Sequence, residues 1–397
     1  MPRRLDELEQ YAIEVILDKK HGFRATLLRV VLWLLSYLYL AIVQVRLYLY
    51  RNRILKERQL GCLVISIGNL TVGGTGKTPV VEKFATALQN GGRRVAILSR
   101  GYKSIDRRRK STWWEKLLTQ KADIPPRIVS DGDSVLLDSA TAGDEPYMLA
   151  SNLRGVAVVV DKDRVKAGLH ALKGLKVDTL LLDDGLQYLD LKHRLDIVLI
   201  DRQAPFGNEH LLPRGTLREP PENLGRASYI LITKCNGESN DNLIQRIRRY
   251  NRTAEIIECC HRPLYLRHVY RDERLPLDYL SGLYIGSFCG IAAPESFEAG
   301  LRKLGANIEI SRHFADHHRY TERELTLFLQ RCVRRDVSAV ITTEKDAVRF
   351  PTIDPPEVPI YYLRVEIEII NGQETWEQCL QRICKPPPVL AREDYFR

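Results

Sequence analysis

Apolar residues recur along this chain in two rhythms. From Val30 to Val45 the run is apolar except at Ser36 and Gln44, and sixteen residues of helix rise about 24 Å, short of the roughly 30 Å hydrocarbon core of a bilayer. Arg24 and Arg29 flank one end of this run, and Arg46, Arg51 and Arg53 flank the other. The pattern predicts a helix that lies on or dips into a membrane, with both ends free to stay on one side of it. A cleaved signal peptide is not expected, because the run starts late and no small-residue cleavage site follows.

The second rhythm is a series of short β-branched runs at 62 to 68, 93 to 98, 156 to 160, 177 to 182, 196 to 201 and 228 to 232, with helical spacing between most of them. That alternation predicts a parallel α/β sheet. A second unit begins near 281, with strands at 283 to 288, 307 to 311 and 337 to 342 and helices at 294 to 304 and 321 to 334. A further strand at 360 to 368 is expected at an edge, with a closing helix at 371 to 384. Residues 257 to 280, carrying Pro263 and Pro276, read as the connector. The organisation is therefore an N-terminal segment 1–58, a catalytic lobe 59–256, a connector 257–280 and a second lobe 281–397, with a cleft between the lobes. Residues 103 to 130, with the basic cluster Arg107 to Lys110, read as a surface insertion.

Composition narrows the partners. The 397 residues exceed one ordinary core, and 60 Lys and Arg against 50 Asp and Glu give a net charge of +10 that favours an anionic partner. No nucleic-acid module is visible, so phosphates or a membrane surface are the expected counterparts. The eight cysteines, at 62, 235, 259, 260, 289, 332, 379 and 384, form no CxxC pair and read as reduced core thiols of a cytosolic protein.

The chemistry starts where the first strand ends. Gly68-Asn69-Leu70-Thr71-Val72-Gly73-Gly74-Thr75-Gly76-Lys77-Thr78-Pro79 reads as a phosphate-binding loop: glycines let backbone amides turn to an anion, Lys77 reaches the β- and γ-phosphates, and Thr78 offers a hydroxyl to Mg²⁺. Thr71 stands where the strict pattern has Gly. A second strand ends in Asp183-Asp184-Gly185, carboxylates suited to Mg²⁺. Gly143-Asp144-Glu145-Pro146 offers an acid that can take a hydroxyl proton, although a capping turn explains it equally well. In the loop 206 to 221, Arg218 can stabilise phosphoryl charge and Glu219 can join a metal shell. His313 and His317 are four apart, but no Cys or Glu partner stands at zinc spacing, and one imidazole leaning on a carboxylate is the better use.

Read together, the phosphate loop, Ser99-Arg100-Gly101-Tyr102, Gly143-Asp144-Glu145-Pro146, Asp183-Asp184-Gly185-Leu186-Gln187, Leu211-Leu212-Pro213, Leu217-Arg218-Glu219-Pro220, Asp316-His317 and Thr343-Glu344-Lys345-Asp346-Ala347-Val348 resemble the tetraacyldisaccharide 4'-kinase family. The ordered series spans residues 1 to about 365, and Thr71 fits it. The resemblance implies a P-loop NTPase-like parallel-sheet lobe and a smaller α/β lobe joined by a β-stranded hinge, with an N-terminal membrane-associated helix. It implies a kinase at the cytoplasmic face of the bacterial inner membrane. That enzyme moves the γ-phosphate of ATP to the 4'-hydroxyl of an acylated glucosamine disaccharide 1-phosphate, with no obligate protein partner inferred.

By the same resemblance Asp144 is the base, supported by His317, and Thr71 to Thr78 bind ATP. Thr78, Asp184 and Glu219 surround Mg²⁺ with Asp183 beside them, Arg164 and Arg218 are active-site arginines, and Tyr102 and Gln187 lie near nucleotide or substrate. Two departures stand out. Tyr188 replaces the family's His, which puts any charge-based role there in doubt, and Arg214 replaces an Ala, adding a cation expected near the substrate phosphate. The residues alone leave open a membrane-recruited ATPase or GTPase switch and a non-catalytic binder. Thr233-Lys234-Cys235-Asn236 lacks the acid of a guanine-reading element, which weakens the GTP reading.

Overall fold

The computed structural model describes residues 11–101, 104 and 124–384. Tyr102 and most of the basic insertion lie outside them. The chain enters through a short helix at 11–16 and then α1 (Phe23–Arg51). At 29 residues α1 is nearly twice the apolar run that predicted it, about 43 Å long at 1.5 Å per residue. Length alone therefore does not keep it on a membrane surface, in contrast to the expectation.

The first sheet strands are β1 (Leu63–Asn69), β2 (Val95–Ser99), β3 (Arg127–Ser130), β4 (Ala157–Val160), β5 (Thr179–Asp183), β6 (Leu195–Asp201) and β7 (Tyr229–Thr233). Their side chains are buried on both faces, which is why they read as unbroken β-branched runs. The parallel order β4-β2-β5-β1-β6-β7 puts the strands ending in Asp183 and in the phosphate loop next to each other. β3, expected as surface insertion, is instead an antiparallel edge strand on β4. Helices α2 (Lys77–Asn90), α3 (Ser139–Ala142) and α4 (Asp144–Asn152) pack on one face, and α5 (Arg164–Gly174) and α6 (Asp241–Tyr250) follow β4 and β7.

Two long antiparallel strands, β8 (Glu255–His268) and β13 (Ile360–Asn371), carry the sheet onward, with β9 (Arg274–Leu275) beside β8. The N-terminal part of β8 pairs with β7 and the first part of β13 pairs with β12 (Ala339–Thr343), so one ribbon belongs to both lobes. The connector is thus stranded, as the resemblance implied, with β8 beginning at 255 and running through Pro263 with a register shift; one expectation is corrected, because 360 to 368 is interior, not edge. The second lobe adds β10 (Tyr284–Cys289) and β11 (Asn307–His313), flanked by α7 (Pro294–Lys303) and α8 (Glu322–Arg334), with the short α9 (Glu344–Ala347) after β12.

The last helix, α10 (Gln373–Cys384), does not close the second lobe. Because β13 runs antiparallel to β8, it returns the chain to the first lobe, where Trp376 meets Phe84 of α2 edge-on at 5.2 Å. Arg93 donates to the Ile383 carbonyl at 3.2 Å, fixing the end of the helix. All eight cysteines are free.

Candidate active site

The carboxyl ends of the parallel strands meet at one edge of the sheet, where ligands of open α/β sheets bind. There β1 passes into the phosphate loop and then α2. Gly76 takes a left-handed conformation at φ +79° to aim the loop amides at the helix start. A Cβ on Gly73 or Gly74 would meet nothing within 4 Å, so the rim is open, whereas one on Gly76 would lie 2.7 Å from the His261 ring of β8. Val72 stands out at the rim, while Thr71 and Thr75 are buried. Thr233 Oγ1 donates to the Thr75 carbonyl at 2.9 Å and Lys234 Nζ to the Gly74 carbonyl at 2.9 Å, so the end of β7 buttresses the loop.

A hub missed in the sequence is Asn69, fully buried at the end of β1. Its Nδ2 donates to the Thr71 carbonyl at 2.8 Å, and its Oδ1 accepts from Lys77 Nζ at 3.1 Å and from Arg218. Arg218 arrives because residues 70–72 pair with 216–218: Val72 N–H meets the Thr216 carbonyl at 2.7 Å and Arg218 N–H the Leu70 carbonyl at 2.7 Å. The Arg218 fork then grips Asp184 at 2.8 and 2.9 Å, with Lys77 Nζ 3.7 Å from the same carboxylate. Burial opposes ionisation of Asp184, but Arg218 and Lys77 outweigh it and hold it below the usual carboxylate range. Thr78 follows in the first turn of α2.

Asp183 behaves oppositely. Burial, then the neighbouring carboxylates Glu145 and Asp184, push it up against the pull of Lys77, and its Oδ2 accepts the Ser99 hydroxyl at 3.2 Å. Asp183, with Glu145 and Asp184 beside it, gathers hard carboxylate oxygens, a donor set suited to a divalent cation. Mg²⁺ takes one or two carboxylates plus phosphate and water, so Asp183, Asp184 and Thr78 fit it. Glu219, like Asp184, already has protein partners. The 3₁₀ turn Pro221–Arg226 folds Asn223 and Arg226 back onto its carboxylate at 2.8 and 2.7 Å. Among the described residues no three His, Cys, Asp or Glu groups converge as a metal cluster.

Gln187 Nε2 donates to the Asn69 carbonyl at 3.1 Å, and its Oε1 is buried with no hydrogen-bond partner among the described residues. Arg164 is buried at the start of α5, its guanidinium 5.0 Å over the Tyr188 ring. The Tyr188 hydroxyl accepts from Arg164 N–H at 3.0 Å and donates to Asp163 at 3.2 Å, so the phenol caps a helix at the position where the resemblance implied an imidazole. Arg214 corrects an expectation too: it is buried, and its guanidinium grips Asp18 at 2.8 and 3.0 Å and the Ile16 carbonyl at 3.0 Å, binding the N-terminal segment instead of facing substrate.

On the same lobe as the phosphate loop, Asp144 opens α4 and is buried. His317, in the loop after β11 at φ +65°, places Nδ1 3.2 Å from Asp144 Oδ2, while Lys345 Nζ lies 3.2 Å from its Nε2. His313 turns to Glu298 at 2.6 Å instead, so the two histidines share no site.

The N-terminal helix touches the same loops. Ser36 Oγ donates to the Leu211 carbonyl at 2.9 Å and Tyr39 hydroxyl to the Arg218 carbonyl at 2.8 Å. The face bearing Leu34, Leu38, Ile42 and Val45 is bare, each side chain more than half exposed.

The comparisons with known proteins agree with this layout. The family model for tetraacyldisaccharide-1-P 4'-kinase matches residues 28–385. The tetraacyldisaccharide 4'-kinase of Halothermothrix orenii is 35% identical over 91% of this chain and 95% of its own length, and that of Anaeromyxobacter dehalogenans is 38% identical over 84% of each. The crystal structure of LpxK from Aquifex aeolicus, an apo form in complex with ATP, superposes with a TM-score of 0.69 at 29% identity, covering 90% of this chain and all of that one. This chain belongs to the tetraacyldisaccharide 4'-kinase family.

Proposed function

We propose that this protein is an ATP-dependent lipid kinase. It transfers the γ-phosphate of ATP to the 4'-hydroxyl of tetraacyldisaccharide 1-phosphate, forming lipid IVA, at the cytoplasmic face of the bacterial inner membrane. The observation that carries the reading is the opposition of two half-sites: the phosphate loop with Lys77, Asp184 and Arg218 on the first lobe, and the buried Asp144–His317 pair closed by the second.

Lys77 and Arg218 stand where charge builds on the transferring phosphoryl group, and Arg164 adds a third cation nearby. Asp183, Asp184 and Thr78 would hold Mg²⁺, which when bound neutralises charge on the transferring and leaving phosphates. Asp144 takes the proton as the acceptor oxygen bonds to phosphorus and the bridging bond to the leaving ADP breaks. Burial resists ionisation of Asp144, but the His317 hydrogen bond and the Arg349 charge hold its pKa below the ordinary carboxylate value. Such a carboxylate is a weak base, which suffices when the transition state is loose and the nucleophile needs little activation. The bare apolar stripe of α1 supports a helix lying in the interface, so that acyl chains stay in lipid while the headgroup enters the cleft.

The test incubates the full chain with γ-labelled ATP, Mg²⁺ and the disaccharide 1-phosphate in mixed micelles. Labelled lipid supports the kinase. Free phosphate alone would identify a switch ATPase, and neither product a binder. Asp144→Asn abolishes transfer while sparing ATP binding; retained transfer removes Asp144 as base.

A further inference from the structure

Every side-chain partner of the Asp144 carboxylate among the described residues comes from the other lobe. His317 and Arg319 follow β11, and Arg349 follows α9. Arg349 is the most demanding of the three. Its side chain is completely buried, with Nε 2.8 Å from Asp144 Oδ2 and Nη1 3.2 Å from Asp346 Oδ1 and 3.3 Å from the Gly290 carbonyl. Asp346 is equally buried and is itself held: Tyr320 hydroxyl donates to it at 2.7 Å and Thr343 hydroxyl at 2.6 Å. A buried guanidinium is costly unless paired, and here one carboxylate of its own lobe holds it rigidly and the other is the proposed base.

The division of oxygens matters. Oδ2 of Asp144 takes both Arg349 Nε and His317 Nδ1, while Oδ1 has only a long 3.4 Å contact from the part-exposed Arg319. We propose that Arg349 is a positioning residue for phosphoryl transfer: it locks Asp144 through Oδ2, leaves Oδ1 as the proton-accepting atom, and completes the base only when the second lobe is docked. The closed cleft is thereby the competent state, and a lobe-open enzyme can hold ATP without an organised base to spend it on water.

This rests on Asp144 being the proton acceptor. The charged groups around that carboxylate are Arg349, Arg319 and His317, then Lys345 on the far side of the imidazole, with Glu145, Asp316 and Asp346 at one remove. Removing the Arg349 cation raises the Asp144 pKa, so the acid limb of the kcat profile moves to higher pH.

The experiment compares Arg349→Gln, Arg349→Lys and Arg319→Gln in the full chain. It measures kcat and KM across pH 4 to 9, ATP-analogue binding and thermal unfolding. Arg349→Gln is expected to lower kcat at least tenfold with KM for ATP unchanged, and to move the acid limb up by about one to three units. Arg349→Lys keeps the charge and restores the limb but not full kcat. Arg319→Gln, an exposed change the fold tolerates, moves the limb little. A wild-type limb in Arg349→Gln overturns the role, as does a full shift in Arg319→Gln, which stays readable even if the buried variant fails to fold. Asp144→Asn separates the two readings: if it still transfers phosphate, the base assignment itself falls, whereas an inactive Asp144→Asn beside a normal Arg349→Gln removes Arg349 alone.

Discussion

Arg218 closes on Asp184 with both arms of its guanidinium, at 2.8 and 2.9 Å, at the point where the phosphate loop meets the end of β5. The pair links the loop 206–221 to the proposed metal site, so on the proposed reading Arg218 both holds Asp184 and receives phosphoryl charge. Arg218→Met is expected to lower kcat about a hundredfold or more, the usual consequence of losing one transition-state donor. ATP-analogue affinity should stay within a few-fold. Rates under saturating ATP decide it, and an unchanged kcat would remove Arg218 from the chemistry.

The His261 ring leaves no room for a Cβ at Gly76. Gly76→Ala would strain a left-handed residue by about 1–2 kcal/mol and press Cβ into the imidazole 2.7 Å away. Weaker ATP binding follows, measured by calorimetry. Pairing it with His261→Ala should recover the steric part only.

His261 itself predicts a pH dependence. Burial, then the Lys234 cation, push its pKa down to about 4, so the folded protein holds it neutral. The unfolded chain protonates it near pH 6.5, binding more protons than the native state below that value. Stability therefore falls as pH drops from about 6.5 toward 4. Thermal unfolding between pH 7 and 5 should show this fall, and His261→Asn should flatten it.

Tyr188 caps α5 at the Arg164 N–H. Tyr188→Phe should cost about 1 kcal/mol, the scale of a lost cap, seen as a lower unfolding midpoint. Tyr188→His would restore a group that titrates between pH 5 and 8 and should add a new inflection to the rate profile, absent from the parent.

Trp376 pins the returning helix α10 to Phe84 of the phosphate-loop helix. Trp376→Ala is expected to destabilise the fold by about 3–5 kcal/mol. Denaturant unfolding measures it, and a loss below 1 kcal/mol would show that α10 is dispensable.

Much of this was legible in the residue order because it is local. A β-branched run bounded by glycines makes a buried parallel strand wherever it sits, so β1, β2 and β4 to β7, the phosphate loop and the Asp183-Asp184 terminus followed from neighbours within a few positions, whereas β3 did not. The family series placed Asp144 and His317 together, although they lie 173 positions apart. What only tertiary structure decided are pairings with no sequence period: Arg349 on Asp144, Arg218 on Asp184, Arg214 on Asp18, Glu219 on Arg226. A guanidinium reaches any carboxylate that folding brings within range, and its choice depends on burial and on competing partners, which spacing does not encode. The same holds for β13 and α10: strand propensity marks 360–368 as a strand, but only its antiparallel pairing with β8 makes it interior and sends the last helix back to the phosphate-loop lobe.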